Sequence, residues 1–116
     1  MGADECIFCK IVAEAIPAER VFEDDLCIAF PDMSPQAPTH LLIIPREHIN
    51  SLDEAKDQHK ATLGHLLFTA AELARKNQIA NDGYRVVINT NKAGGQTVFH
   101  LHVHLLGGRP FIFPPG

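Results

Sequence analysis

The sequence predicts an α+β domain: a five-stranded antiparallel meander with one short and one long helix. Three observations carry that expectation. Strand-like segments separated by turn residues occupy 20–30, and a strand at 40–44 follows whose residues 41–44 are a continuous apolar run. An apolar stripe with a period of about 3.6 residues extends over 57–79. No helical pattern lies among the first three strand-like segments or between the last two, so antiparallel connections are expected rather than parallel crossovers.

In chain order, Ile7, Phe8, Ile11 and Val12 form the i, i+1, i+4, i+5 stripe of a short helix over 4–14, which Pro17 ends. Residues 20–23 read as a first strand, Glu23-Asp24-Asp25 as a turn, and 26–30 as a second strand with Leu26, Ile28 and Phe30 on one side. Residues 32–38 are a Pro/Ser-rich connection, and 40–44 is a buried third strand stopped by Pro45. Ser51-Leu52-Asp53-Glu54 fits a capping box ahead of the long helix, whose stripe is Leu63, Leu66, Leu67, Ala70, Ala71 and Ala74. Asn81-Asp82-Gly83 closes that helix. Residues 84–89 read as the fourth strand and, after the Gly94-Gly95 turn, 97–106 as the fifth.

At 116 residues the chain fits one domain, 1–116, with an ordinary globular balance of apolar and charged residues. A net charge of -4 and the lack of a Lys/Arg run argue against a DNA or RNA polymer as partner, while leaving room for one small anion. No apolar stretch reaches the roughly 18 residues that a membrane span needs. The first residues lack a signal-peptide profile and three cysteines suggest no disulfide framework, so a cytoplasmic protein is expected.

His100-Leu101-His102-Val103-His104 holds three of the seven histidines. Alternation with Leu and Val predicts a strand presenting three imidazoles on one face, which suits displacement at phosphorus. An exposed or metal-binding histidine face is the plainer alternative. The segment from Asn89 to Thr97 leads into this strand; its glycines allow backbone amides to approach an anion, and Asn89 and Thr97 add neutral hydrogen bonds, although Gly-Gly by itself is commonly a hairpin turn. His40 starts an otherwise apolar strand and needs a partner, which the histidine face can provide. Asp32 reads either as a turn residue or as an acceptor for vicinal ribose hydroxyls. Cys6-Ile7-Phe8-Cys9 has half of a zinc site's ligands, to be completed by His48 or a strand histidine; two buried helical thiols are the alternative. Cys27 reads as a small core residue, and His59 and His65 as surface residues of the long helix.

His100 to Leu106 fits the pattern His-x-His-x-His followed by two apolar residues, and the chain resembles the histidine triad family in its Hint branch of nucleotide-binding proteins. Ile16-Pro17-Ala18, Phe22-Glu23-Asp24-Asp25, Ser34-Pro35-Gln36-Ala37-Pro38-Thr39-His40, Gly94-Gly95-Gln96, Leu106-Gly107-Gly108-Arg109 and Pro114-Pro115-Gly116 extend that likeness over nearly the whole chain. The resemblance implies a homodimer with a continuous ten-stranded sheet, and hydrolysis of purine nucleoside phosphoramidates through a nucleotidyl-histidine intermediate. It implies His102 as nucleophile, His104 at the phosphate and leaving group, His40 completing the relay, and His100 as the remaining triad member. Asn89, Gly95 and Thr97 then hold phosphate oxygens with Gln96 beside them, Asp32 binds ribose, and Ile7, Phe8, Ile11, Phe30 and Met33 line the base pocket. Pro31 and Phe113 replace the His and Trp of animal members, and Thr97 stands where Ser is common.

The reaction implied needs no cofactor. Some members, mostly bacterial, bind a structural zinc, and Cys6, Cys9, His48 and His100 match its ligands. Dinucleoside polyphosphate hydrolysis, as in the Fhit-like branch, is the enzymatic alternative, against which Leu106-Gly107-Gly108 and the Pro-Pro-Gly tail point. A nucleotide-binding or scaffold module is the alternative outside catalysis.

Overall fold

The computed structural model describes residues 5–116. Helix α1 spans Ile7–Val12 and α2 Lys60–Lys76; the strands are β1 Phe22–Glu23, β2 Cys27–Pro31, β3 Thr39–Pro45, β4 Tyr84–Val87 and β5 Val103–Gly107. All five strands pair antiparallel in one sheet. Their order is β1-β2-β3-β5-β4, so the sheet is not a simple meander: β5 inserts between β3 and β4. The connection through α2 takes the chain past that gap to the edge, and β5 fills it.

Both faces of the sheet are covered, and residue parity decides which face a side chain joins. Cys27, Ala29, Leu41, Ile43, Leu101, Val103 and Leu105 pack with Leu66, Ala70, Leu73 and Ala74 of α2. Ile28, Phe30, Leu42 and Ile44 pack with Cys6, Phe8 and Ile11 of α1 and its approach. Burial on two sides explains why β2 and β3 read as apolar runs. The even-numbered histidines 100, 102 and 104 oppose the odd-numbered core residues and therefore fall on the α1 side.

Several expected boundaries move. The first helix is shorter, and Asp4, its expected start, lies outside the described residues. Leu26 precedes β2 and is exposed rather than aligned with Ile28 and Phe30. Ser51-Leu52-Asp53-Glu54 does not cap the long helix: Ala55 and Lys56 are extended, and α2 begins only after a second short turn, Asp57–His59. The Ser51 hydroxyl is buried with no hydrogen-bond partner among the described residues. His59, expected at the surface, is instead buried; its Nδ1 accepts from the Lys56 amide at 2.9 Å and its Nε2 meets Glu47 Oε2 at 2.8 Å. His65 is half-buried, with Nε2 2.6 Å from Asp24 Oδ2, which ties α2 to the β1–β2 turn. The buried stripe of α2 includes Thr69 and Leu73, while Leu67 is exposed. No helix among the described residues is long and apolar enough to cross a membrane.

Candidate active site

Hydrogen bonding within the ladder begins only at Val103, because the Leu101 amide donates to Ile49 O at 2.7 Å instead of to a neighbouring strand. The alternation of His100 to His104 survives, but the three imidazoles do not form one open face. His100 is fully buried and turned toward Cys6 and Cys9. His102 and His104 stay together with ring centroids 5.0 Å apart, and His40, diagonal to His104 across the β3–β5 pairing, closes the group.

Backbone partners define the tautomers. A carbonyl oxygen only accepts, so the 2.8 Å contact of His102 Nδ1 with His100 O requires Nδ1–H and leaves an unshared pair on Nε2. The Gln36 amide donates to His40 Nδ1 at 3.0 Å, which places the His40 proton on Nε2. That Nε2–H points at His104 Nδ1, 2.9 Å away, so His104 carries its proton on Nε2. The cluster thus contains one unprotonated Nε2, on His102, and two Nε2–H groups, of which that of His40 is engaged by His104 and that of His104 is not. Asp32 lies next to it, with Oδ2 3.4 Å from His40 Nε2 and 4.0 Å from His104 Nδ1, while Oδ1 accepts from the Ser34 amide at 2.7 Å. Asp32 is thus a turn residue through Oδ1, while its Oδ2 faces the histidines.

Burial lowers the pKa of His40 against a weaker opposing pull from Asp32, and lowers that of His102 against the hydrogen bond to the His100 carbonyl and, after it, Asp32. His104 falls to about 4, first through burial and then through the neighbouring His102 and His40. All three are neutral near pH 7 in the free protein, so His102 needs no base to expose its lone pair. Phe8 stands perpendicular to the His102 ring at 5.2 Å and fixes its plane.

A second cluster joins Cys6, Cys9, His48 and His100, with ligand atoms within 4.8 Å of one another. Cys6 Sγ is 3.3 Å and Cys9 Sγ 3.5 Å from His100 Nδ1, and Cys9 Sγ is 3.1 Å from His48 Nδ1. A tetrahedral zinc with Zn–N near 2.0 Å and Zn–S near 2.3 Å separates its donor atoms by roughly 3.3 to 3.8 Å, so a small expansion accommodates the ion. The outer hydrogen bonds have the right sense. His100 Nε2 bonds Pro45 O at 2.8 Å and His48 Nε2 bonds Asn50 Oδ1 at 2.6 Å, so both rings turn an unprotonated Nδ1 inward. These residues fit a closed zinc site. Asp32, His40 and His104 also lie within reach of a common ion, but His40 Nδ1 already accepts a hydrogen bond. Its Nε2 keeps a proton, so that cluster is a hydrogen-bonded chain rather than a ligand set.

The remaining expected residues divide. Phe8, Ile11 and Phe30 are buried beneath α1, whereas Ile7 is half-exposed and Met33 is 97% exposed, so no closed apolar pocket joins the five. In the loop before the histidines, the Gly95 and Gln96 amides donate to Lys92 O and Asn91 O within the turn. The expected cradle therefore does not rest on those two amides in the free protein. Gln96 is buried, and its side chain serves the backbone: Oε1 accepts from the Asn91 amide and Nε2 donates to Asn50 O and Val98 O. Gly95 sits at φ +91°, and a Cβ there would lie 3.9 Å from the Asn89 side chain. Asn89 is partly buried and Thr97 exposed, leaving both side chains accessible. Sequence reasoning gave no role to the Gln36 amide, the His100 and Pro45 carbonyls or the Asn50 side chain; the first three are backbone groups that carry no residue-type signal.

Known proteins share this sequence pattern and fold. The HIT domain model matches residues 13–111. The purine nucleoside phosphoramidase of Escherichia coli strain K12 is 51% identical over 108 residues, 93% of this chain and 91% of that protein. A HIT family hydrolase from Legionella pneumophila superposes with a TM-score of 0.94 at 49% identity, covering 97% of this chain and all of its own. A zinc-bound histidine triad family protein from Mycobacterium smegmatis superposes with a TM-score of 0.81 at 32% identity, covering 93% of this chain and 78% of its own. On sequence, fold and the arrangement of its histidines, the chain belongs to the HIT domain family.

Proposed function

We propose that this protein is a hydrolase that splits the P–N bond of purine nucleoside phosphoramidates, releasing a nucleoside monophosphate and an amine. Family membership and the hydrolase relatives support HIT-type nucleotide hydrolysis. The name of the Escherichia coli relative favours the phosphoramidate class. The observation that carries the reading is the proton order of the imidazoles: an unprotonated Nε2 on His102 beside an Nε2–H on His104.

His102 Nε2 attacks the α-phosphorus, and the P–N bonding pair leaves with the amine nitrogen, which takes its proton from solvent; the water that later displaces His102 returns one. The neutral His104 keeps its proton, and its Nε2–H hydrogen-bonds a phosphoryl oxygen or the leaving nitrogen. Nucleotidylation makes His102 cationic, and the His100 carbonyl, already accepting its Nδ1–H, stabilises that charge without rearrangement. Water then displaces His102 in a second in-line step. Asp32 serves the ribose hydroxyls, and Asn89, Gly95 and Thr97 the phosphate oxygens. Gln96 shapes their loop, and His100 acts through its carbonyl. Phe8, Ile11 and Phe30 form the floor of the base site, with Ile7 and Met33 its exposed rim. Turnover of adenosine 5′-phosphoramidate by the wild type, abolished in a folded His102→Ala variant, tests the assignment; retained turnover rejects it.

Cys6, Cys9, His48 and His100 hold a structural zinc in this reading, supported by their geometry and by the zinc-bound relative. All four positions would be filled by these residues, so the group would tie α1 to the histidine segment and take no part in the reaction. The active form is a homodimer. In support, β4 is an edge strand with Tyr84 and Val86 partly exposed, so two copies can pair edge to edge into ten strands.

A further inference from the structure

We propose that Arg109 is a positioning residue for the histidine relay: it clamps the Gln36 backbone so that the Gln36 N–H keeps His40 in the Nε2–H tautomer. The proposal rests on the hydrolase reading for its catalytic consequence, but not for its structural one. Arg109 Nε donates to Gln36 O at 2.9 Å, while the N–H of the same residue donates to His40 Nδ1 at 3.0 Å. Gln36 thus passes a hydrogen-bonded connection from the C-terminal segment to His40, and from there to His104 at 2.9 Å.

The guanidinium is itself fixed. Arg109 Nη1 donates to Pro110 O at 2.9 Å, and the group lies over the Phe111 ring at 4.3 Å. Arg85 approaches the same ring at 5.1 Å and holds the segment through Ile112 O. Gly108 brings the two segments into contact: at φ +91° its backbone lies so close to Pro38 that a Cβ would stand 2.9 Å from the Pro38 Cβ. Arg109 therefore emerges directly against the 32–38 loop.

Direction is what this connection protects. Without the Gln36 amide, His40 Nδ1 can carry the proton, and His40 Nε2 becomes an acceptor. The bond to His104 then reverses, His104 takes its proton on Nδ1, and the Nε2–H that serves the leaving group is lost. The substitution Arg109→Lys would keep a donor and a charge but neither the planar Nε–H nor the stack on Phe111, so lysine replaces arginine only in part.

The test compares wild type, Arg109→Ala and Arg109→Lys by ¹⁵N NMR of the His40 ring and by hydrogen exchange of the Gln36 amide, with kinetics on adenosine 5′-phosphoramidate. Wild type is expected to show one His40 tautomer, Nε2–H, and a protected Gln36 amide. Arg109→Ala is expected to mix the tautomers, unprotect that amide and lower kcat by roughly tenfold with KM little changed, within the roughly hundredfold cost of small displacements originating away from the chemistry. Arg109→Lys is expected to fall between. An Arg109→Ala protein with the wild-type His40 tautomer and Gln36 protection overturns the proposal, whether or not its melting temperature falls. A wild type without turnover rejects the hydrolase reading, while the NMR comparison still decides the positioning role.

Discussion

Acidification is expected to destabilise the protein through His104 by an amount that can be isolated. Burial, reinforced by His102 and His40, holds its folded-state pKa at about 4 against an ordinary value of 6.5. Between those values the unfolded chain binds more protons than the folded one, so the contribution is full above the ordinary value and is lost as the pH falls toward about 4. The complete shift corresponds to about 3 kcal/mol, of which about 2 kcal/mol is gone by about pH 5. Urea unfolding of wild type and His104→Asn at about pH 7 and about pH 5, at one fixed zinc concentration, measures the term. His100 has a similar depression, to about 4, but is present in both proteins and cancels in the difference. Wild type should lose about 2 kcal/mol more than the variant over that interval. Equal losses would refute the assignment of a buried, neutral His104.

Metal analysis should find about one zinc per chain, and Cys9→Ser should lower the zinc content and the thermal midpoint together. Phe8→Ala removes a buried ring that packs on both Phe30 and His102; urea unfolding should show a loss of about 3 to 5 kcal/mol. Gly94→Ala drives a Cβ into the Thr90 backbone, so the loop should shift, with a stability loss of about 1 to 3 kcal/mol and a raised KM for the phosphoramidate. Met33→Ala, at an exposed position, should leave stability within about 0.5 kcal/mol of wild type while raising KM.

Element types were legible in the sequence wherever one physical signal dominated. The α2 stripe and the apolar run of β3 are two such places, whereas the alternation expected to make a strand of 97–106 becomes ladder only from Val103. Strand order was not, because the sequence between β3 and β4 is equally compatible with β4 beside β3 and with the observed gap that β5 fills. The capping-box residues Ser51 and Glu54 misled because extended backbone at Ala55 and Lys56 separates them from α2. In the candidate site, the CxxC spacing left the accompanying histidines open and the resemblance pointed to His48 and His100; the structure brings those four side chains together. The proton order of the imidazoles was beyond sequence reasoning, since it depends on the His100 carbonyl and the Gln36 amide, groups every such residue possesses.

The central claim is that His102 Nε2 forms a bond to phosphorus. Rapid quenching of wild type during turnover of adenosine 5′-phosphoramidate, followed by peptide mass spectrometry, tests it directly. One adenylyl group on the His102 peptide, absent from His102→Ala, is the result predicted. Full turnover with no adduct at any quench time, or an adduct on His100 or His104 instead, would contradict it.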